Sequence, residues 1–181
     1  MIQSIKKSMV MLLLVTVFLS CNQGPTLQTY YVDNELKPGF ISGDVPASFI
    51  NLEGVDLTED QREAYESVDK LNILAFKADD KNTEEYKTEL GKVKTILKDE
   101  KYEELMRGST SDGKFSIKFI GDSEASIDEL ILFGSSSDQG FIVVRVLGDD
   151  MNAGKLMKLS DVLQKADIDN EQLNSFKDFF K

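Results

Sequence analysis

Ser67-Val-Asp-Lys70 sets a hydroxyl and an amine at the S-x-x-K spacing, where a lysine can draw the proton from a serine nucleophile. That chemistry also uses S-D-N and K-T-G segments, and the sequence holds neither. The pair falls late in an amphipathic stretch, so a solvent-facing Ser and Lys is the preferred reading. Asp149-Asp150-Met-Asn152 and Asp167-Ile-Asp169-Asn170-Glu171 match the oxygen-rich opening of a calcium loop. Neither has a glutamate at the twelfth position, and helix capping accounts for both runs. The chain has no His. Ser-His-Asp and Cys-His constellations are thereby excluded, and the commonest metal ligand is missing. No glycine-rich phosphate loop follows any expected strand. Many Asp and Glu leave a paired-carboxylate hydrolase open, although no spacing marks a pair. The expectation is no catalytic residue, no metal and no cofactor. One reactive group remains, the thiol of Cys21, the only cysteine in the chain.

Cys21 stands at the end of a recognisable leader. Lys6 and Lys7 give a positive start, Ser8–Leu19 is almost wholly apolar, and Ser20 is a small residue before the cysteine. The apolar run is about 12 residues, against roughly 20 for a helix that crosses a bilayer. Phe18-Leu19-Ser20-Cys21 resembles the lipobox of bacterial lipoproteins, with Phe where Leu is commoner. That resemblance implies cleavage before Cys21, a thioether-linked diacylglycerol on its sulfur and acylation, palmitate included, of the new amino terminus. Two or three acyl chains anchor stably where one does not, at about 0.8 kcal/mol per buried methylene. A lone exposed thiol in an oxidising compartment would otherwise be a liability. Residues 1–20 are therefore read as a signal peptide and residues 21–44 as a lipidated tether. Asn22 follows the cysteine in place of Asp, and residues 22–26 carry no acidic run. Under the sorting rule of better-studied lipoproteins, this points to the periplasmic face of the outer membrane.

Without residues 1–20 the formal charge moves from −11 to −13, because Lys6 and Lys7 go with them. Such a balance argues against nucleic acid, which needs clustered Lys and Arg. It suits a soluble domain held near an anionic membrane. With no second cysteine the fold must stand on its core, for which eleven Phe and five Tyr supply large side chains.

The elements follow from periodicity. Asn22–Gly43 has no clear period, apart from short extended pieces at Tyr30–Val32 and Phe40–Ile41 that dock on the domain. Val45–Leu52 reads as extended. Thr58–Lys70 reads as a helix, with Thr58 and Gln61 as its capping box. Ile73–Ala78 is a short buried strand. Asn82–Lys98 is the strongest helix, capped by Asn82 and Glu85, with Tyr86, Leu90, Val93 and Leu97 as its stripe. Alternation then sets in. Strands are expected over Tyr102–Arg107, Phe115–Phe119 (one wet face), Ile127–Phe133 and Phe141–Leu147. The last two are apolar on both sides and belong in the middle of the sheet. Asp149 or Asp150 caps a helix over Ala153–Ala166, and Asp169–Phe180 is a terminal helix carrying Phe176, Phe179 and Phe180. The expected fold is a single α+β domain over residues 45–181. It is a mainly antiparallel meander of about five strands with amphipathic helices packed on it in two layers.

A lipobox, a helix leading to Tyr102-Glu-Glu-Leu-Met-Arg107, and strands ending Val143-Val144-Arg145-Val146-Leu147-Gly148-Asp149 resemble the domain-of-unknown-function family 4252. The resemblance spans about Val45 to Leu163. It implies a small envelope lipoprotein of α+β shape, and it brings no activity, cofactor or catalytic residue. Two functions remain. One is a non-catalytic interaction module, tethered to the bilayer through acylated Cys21, that meets an envelope protein at the sheet's less covered face or at the Phe176–Phe180 tail. The other is a small periplasmic hydrolase, which needs a deep pocket with two convergent carboxylates.

Overall fold

The structure, a computed structural model, describes residues 24–163 except 51, 53, 54 and 112. In chain order the elements are α1 (Leu27–Asn34), β1 (Phe40–Pro46), a 3-10 turn (Ala47–Phe49), α2 (Glu59–Glu66), β2 (Val68–Lys77), α3 (Thr83–Ile96), β3 (Glu103–Ser109), β4 (Lys114–Ser123), β5 (Ser126–Ser136), β6 (Gly140–Met151) and α4 (Ala153–Leu163). The six strands form one antiparallel sheet in the order β1-β2-β6-β5-β4-β3. Strands β3 to β6 are the expected meander, and β5 and β6 lie in the middle. The sixth strand is β1, which pairs Phe40 with Phe76 and Val45 with Leu71. Pro46 has no amide proton to donate and sits on this edge strand, where none is needed.

Three local expectations are corrected. The first is that Asn22–Gly43 lacks regular structure. Leu27, Tyr30, Tyr31 and Asn34 are buried along one side of α1, at the i, i+3, i+4, i+7 spacing of a helix. Thr26 and Thr29 cap it reciprocally: the Thr29 amide donates to Thr26 Oγ1 at 3.1 Å and the Thr26 amide to Thr29 Oγ1 at 2.9 Å. Second, Asn82 holds the N-cap position of α3 but its side chain makes no capping hydrogen bond to the helix. Its side chain knits the preceding turn, donating to the Lys77 carbonyl and accepting from the Asp79 amide, each at 2.8 Å. Third, neither Asp149 nor Asp150 caps α4. Asn152 Oδ1 accepts from the Lys155 amide at 3.1 Å, while Asp150 adopts φ +49° and accepts from Ser126 Oγ at 2.7 Å. The Thr58–Gln61 box is present as expected, but α2 ends at Glu66. Residues from Val68 onward pair with β6, so strand pairing overrides helix propensity there.

The two faces of the sheet are covered unequally. On one, Phe40, Phe76 and Phe141 line up across β1, β2 and β6, and Leu74, Val143 and Phe133 form the next row. Helices α1 and α3 close this face with Leu27, Tyr30, Tyr31, Tyr86, Val93 and Ile96. Phe76 stacks on Phe141 at 5.8 Å between centroids and meets Phe40 edge-on at 4.9 Å. On the other face, Val45, Ile73 and Ala75 are buried over β1 and β2, where the 3-10 turn packs on β2. Ala153 and Leu156 of α4 cover the far end, beside Leu130 and Val146. Ion pairs tie α4 to α2: Lys158 to Asp60 at 2.6 Å, and Lys155 to Glu63. Helices therefore stand on both sides of the sheet, and the second side is only partly roofed.

Candidate functional site

Ser67 and Lys70, read as two solvent-facing residues late in a helix, fall instead on different elements. Ser67 ends α2, and its hydroxyl donates to the Ala64 carbonyl at 2.9 Å, while its own carbonyl accepts from the Asp149 amide at 3.1 Å. Lys70 belongs to β2. The two residues no longer share a helix, the arrangement that S-x-x-K chemistry requires. Cys21, Asp167–Glu171 and the Phe176, Phe179, Phe180 tail lie outside the described residues. Among the described residues, no group of three or more His, Cys, Asp or Glu is placed to hold a metal ion, and no helix is long and apolar enough to cross a membrane.

The buried carboxylates each have a partner. Glu129 takes a bidentate pair from Arg145, Nε to Oε1 at 2.7 Å and Nη2 to Oε2 at 2.9 Å. Arg145 Nη1 also donates to Gln28 Oε1 of α1 at 2.5 Å and to Asn72 Oδ1 at 3.4 Å. Glu89 of α3 accepts from the Tyr30 hydroxyl at 2.8 Å and from Lys92 Nζ at 2.7 Å. Burial pushes the Tyr30 phenol far above its ordinary value, and the Glu89 carboxylate adds to the shift. Tyr102 is raised mainly by burial, although the Leu27 amide donating to its oxygen at 3.0 Å opposes the shift. No buried side-chain polar atom among the described residues lacks a hydrogen bond. These groups clasp α1 to the sheet. Each of these polar side chains is already engaged within the fold.

Sequence reasoning missed this cluster, although a signal was there. Arg145 is the one charge in the Val143–Leu147 run, and Glu129 interrupts the Ile127–Phe133 run. Glu129 falls on the side of its strand shared with the apolar Ile131 and Phe133, unlike the adjacent Asp128, and opposite charges in two neighbouring central strands ask to be paired.

The surface left open is the second face of the sheet. Met106, Ile117, Leu132 and Val144 form one cross-strand row from β3 to β6, and Phe115, Gly134 and Ile142 form the row beside it. Met106 is 43% exposed, Phe115 39% and Leu132 37%, whereas Ile131 and Phe133, the neighbours of Leu132 on the closed face, are buried. Leu132 sits on the fourth of six strands, a position where a leucine is ordinarily covered. A shallow cleft of about 330 Å³ opens over Phe115, Gly134 and Ile142, rimmed by Lys114, Ser135 and Gln139. Its floor is apolar, and its rim offers hydroxyls and an amide. That suits docking of apolar side chains. This cleft, a second of about 410 Å³ beside it and a third of about 590 Å³ between α1 and α3 hold a single carboxylate between them, Asp33. The alternation over Phe115–Phe119 was legible, but its sense was not. The apolar side of β4, bearing Phe115 and Ile117, is the one left partly open, while Lys118 on the other side bonds the Tyr102 carbonyl at 2.7 Å.

No curated protein and no solved structure matches this chain at a significant level. A family model does match, over residues 31–159, from within α1 to within α4. The chain belongs to the family described as Domain of unknown function (DUF4252).

Proposed function

We propose that this protein is a lipid-anchored lipoprotein of the cell envelope that acts as a non-catalytic interaction module, with its contacts made on the open apolar face of the sheet. The observation that carries the interaction reading is that face. A contiguous row of Met106, Ile117, Leu132 and Val144 in the middle of a well-packed sheet, left partly exposed, marks a docking surface. The anchoring half rests on the leader that ends at Cys21. Between Cys21 and α1 stand five residues, Asn22 to Thr26, a leash of at most about 18 Å when fully extended. An acylated Cys21 therefore keeps the domain against the bilayer, at the periplasmic face of the outer membrane. The carboxylate hydrolase is the weaker reading, since Glu129 and Glu89 are each engaged in pairs that hold helices in place.

Metabolic labelling with palmitate tests the anchor. The native chain is expected to take up label and to sediment with membranes. Cys21→Ser is expected to lose the label and to appear in the soluble periplasmic fraction or as an uncut precursor. Labelled, membrane-bound Cys21→Ser protein would overturn the anchoring reading.

A further inference from the structure

The side of the domain made by α1 and α3 gathers positive charge in an otherwise acidic chain. Leu90–Lys98 holds Lys92, Lys94 and Lys98 and no acid, whereas the whole chain stands at −11. Lys87, Gly91, Lys94 and Lys98 follow at i, i+4, i+7 and i+11, so they share one stripe along α3 and its end, and all four are exposed. Glu84, the acid at the start of that stripe, pairs with Lys87 at 2.8 Å. The other side of the sheet has the reverse balance. There α2, packed on α4, carries Glu59, Asp60, Glu63 and Glu66 against Arg62, and Lys155 and Lys158 of α4 are paired with those acids.

A cleft lies between α1 and α3, with Pro25, Lys37, Gly91, Lys92 and Thr95 around it and Asp33 as its one acid. Gly91 stands in the middle of α3, where glycine weakens a helix and where a Cβ would meet nothing within 4 Å. Packing does not call for glycine there, and its missing side chain keeps the cleft wide. Leu36, just past α1, is 92% exposed, the most exposed large apolar side chain among the described residues. Lysines set around an apolar point and an open cleft match a layer of lipid phosphates over acyl chains. The tether leads to the same side. Pro25, at the cleft, is four residues from Cys21, at most about 14 Å along an extended chain. An acyl group on Cys21 brings the bilayer within that reach of the cleft.

We infer that the α1–α3 side of the domain rests on the bilayer, with Lys37, Lys92, Lys94 and Lys98 at phospholipid phosphates, Leu36 at the acyl boundary and the cleft beside Gly91 open to a headgroup. The open sheet face, on the other side, then points away from the membrane. This rests on the anchoring reading, and it selects one orientation among those that a short leash permits.

Spin labels on single introduced cysteines test the orientation. The full-length acylated chain is placed in vesicles of phosphatidylethanolamine and phosphatidylglycerol containing a little nickel-chelating lipid, whose metal speeds relaxation of a nearby label. The chain has no His to capture the nickel. Labels at Thr88→Cys and Thr95→Cys are expected to relax at least about fivefold faster than one at Leu132→Cys, fivefold being the preference that one lysine gains at an anionic surface. Lys37→Gln, Lys92→Gln, Lys94→Gln and Lys98→Gln together are expected to bring the rates level, as is molar salt on the chain with its lysines intact. Equal rates at low salt with the lysines intact would overturn the inference. So would faster relaxation at Leu132, which would lay the open face on lipid, or a contrast that survives both the Gln changes and molar salt. The native chain, whose only thiol is that of Cys21, checks the anchor separately. Spin-label uptake there would show an unacylated sulfur, a failure of the anchoring reading. Sedimentation of that unacylated chain with the same vesicles then decides the surface: the four Gln changes are expected to weaken binding more than about a hundredfold, and unchanged binding would overturn the inference.

Discussion

The two faces of this sheet are built from the same kinds of residue and end in different states. Over the first, α1 and α3 bring five aromatic rings into contact, Phe76 is fully buried, and a tyrosine and an arginine reach each helix through a carboxylate or an amide. Over the second, among the described residues, α4 and the 3-10 turn cover two ends and Leu132 in the middle stays partly exposed. The lesson is that apolar content did not decide coverage. Ile142 and Val144 are as apolar as Phe141 and Val143, their neighbours on the same strand. What differs is whether an element arrives with a matching stripe. The closed face looks like a structural core and the open one like a surface kept for contact.

The largest effects should come from the closed face. Phe76→Ala is expected to cost about 3–5 kcal/mol, since it empties the centre of the stacked rings. Urea unfolding would measure it. A loss no greater than that of a face-two substitution would break the contrast. Arg145→Met should cost a similar amount, about 3–5 kcal/mol, because Glu129 is left buried and unpaired. Pairing it with Glu129→Leu should restore much of that loss. A double variant as unstable as the single one would show that the ion pair itself, and not the stranded carboxylate, carries the energy.

Alkaline pH should also act through the closed face. Burial raises the phenols of Tyr30, Tyr31, Tyr86 and Tyr102 above their ordinary value of 10.0. The folded state therefore favours the neutral ring. This stabilisation is complete below about pH 10 and is lost as pH rises further, because the unfolded chain then releases protons that the folded chain keeps. The unfolding midpoint should therefore begin to fall near pH 10, the value of an unperturbed phenol, and keep falling as the pH is raised further. Tyr30→Phe should flatten the fall. An unchanged slope in that variant would remove Tyr30 from the account. The smallest effect belongs to the open face: Leu132→Ser should lower stability by less than about 1 kcal/mol, since the side chain is already partly in water.

Much of this arrangement was legible before the structure. The Thr58–Gln61 box, the α3 stripe and the doubly apolar strands β5 and β6 were read from spacing alone, because local periodicity and burial agree there. Helix α1 was not, although its spacing is regular, because Asn34 interrupts the stripe and the box closes with Thr29 in place of Glu or Gln. The asparagine is satisfied instead by the Tyr30 carbonyl at 2.6 Å. Strand β1 was read only at its two ends, as extended pieces at Phe40–Ile41 and from Val45, because Gly43, Asp44 and Pro46 break its alternation and only its pairing with β2 joins them into one strand. Arg145 and Glu129 were visible as misplaced charges but could not be joined without the sheet order. The open face was the least legible of all. A strand that is apolar on both sides says that both sides favour burial, and nothing in that pattern says that one of them stays bare.

The central claim is that the open face makes the molecule's contacts with its surroundings. The most direct measurement is crosslinking in intact envelopes, comparing the native chain with Leu132→Asp on the open face and Val32→Asp on the exposed side of α1. The account predicts a defined adduct with an envelope protein that Leu132→Asp abolishes and Val32→Asp leaves intact, with both variants folded by their unfolding curves. An adduct that survives Leu132→Asp, or that both variants lose equally, would contradict it.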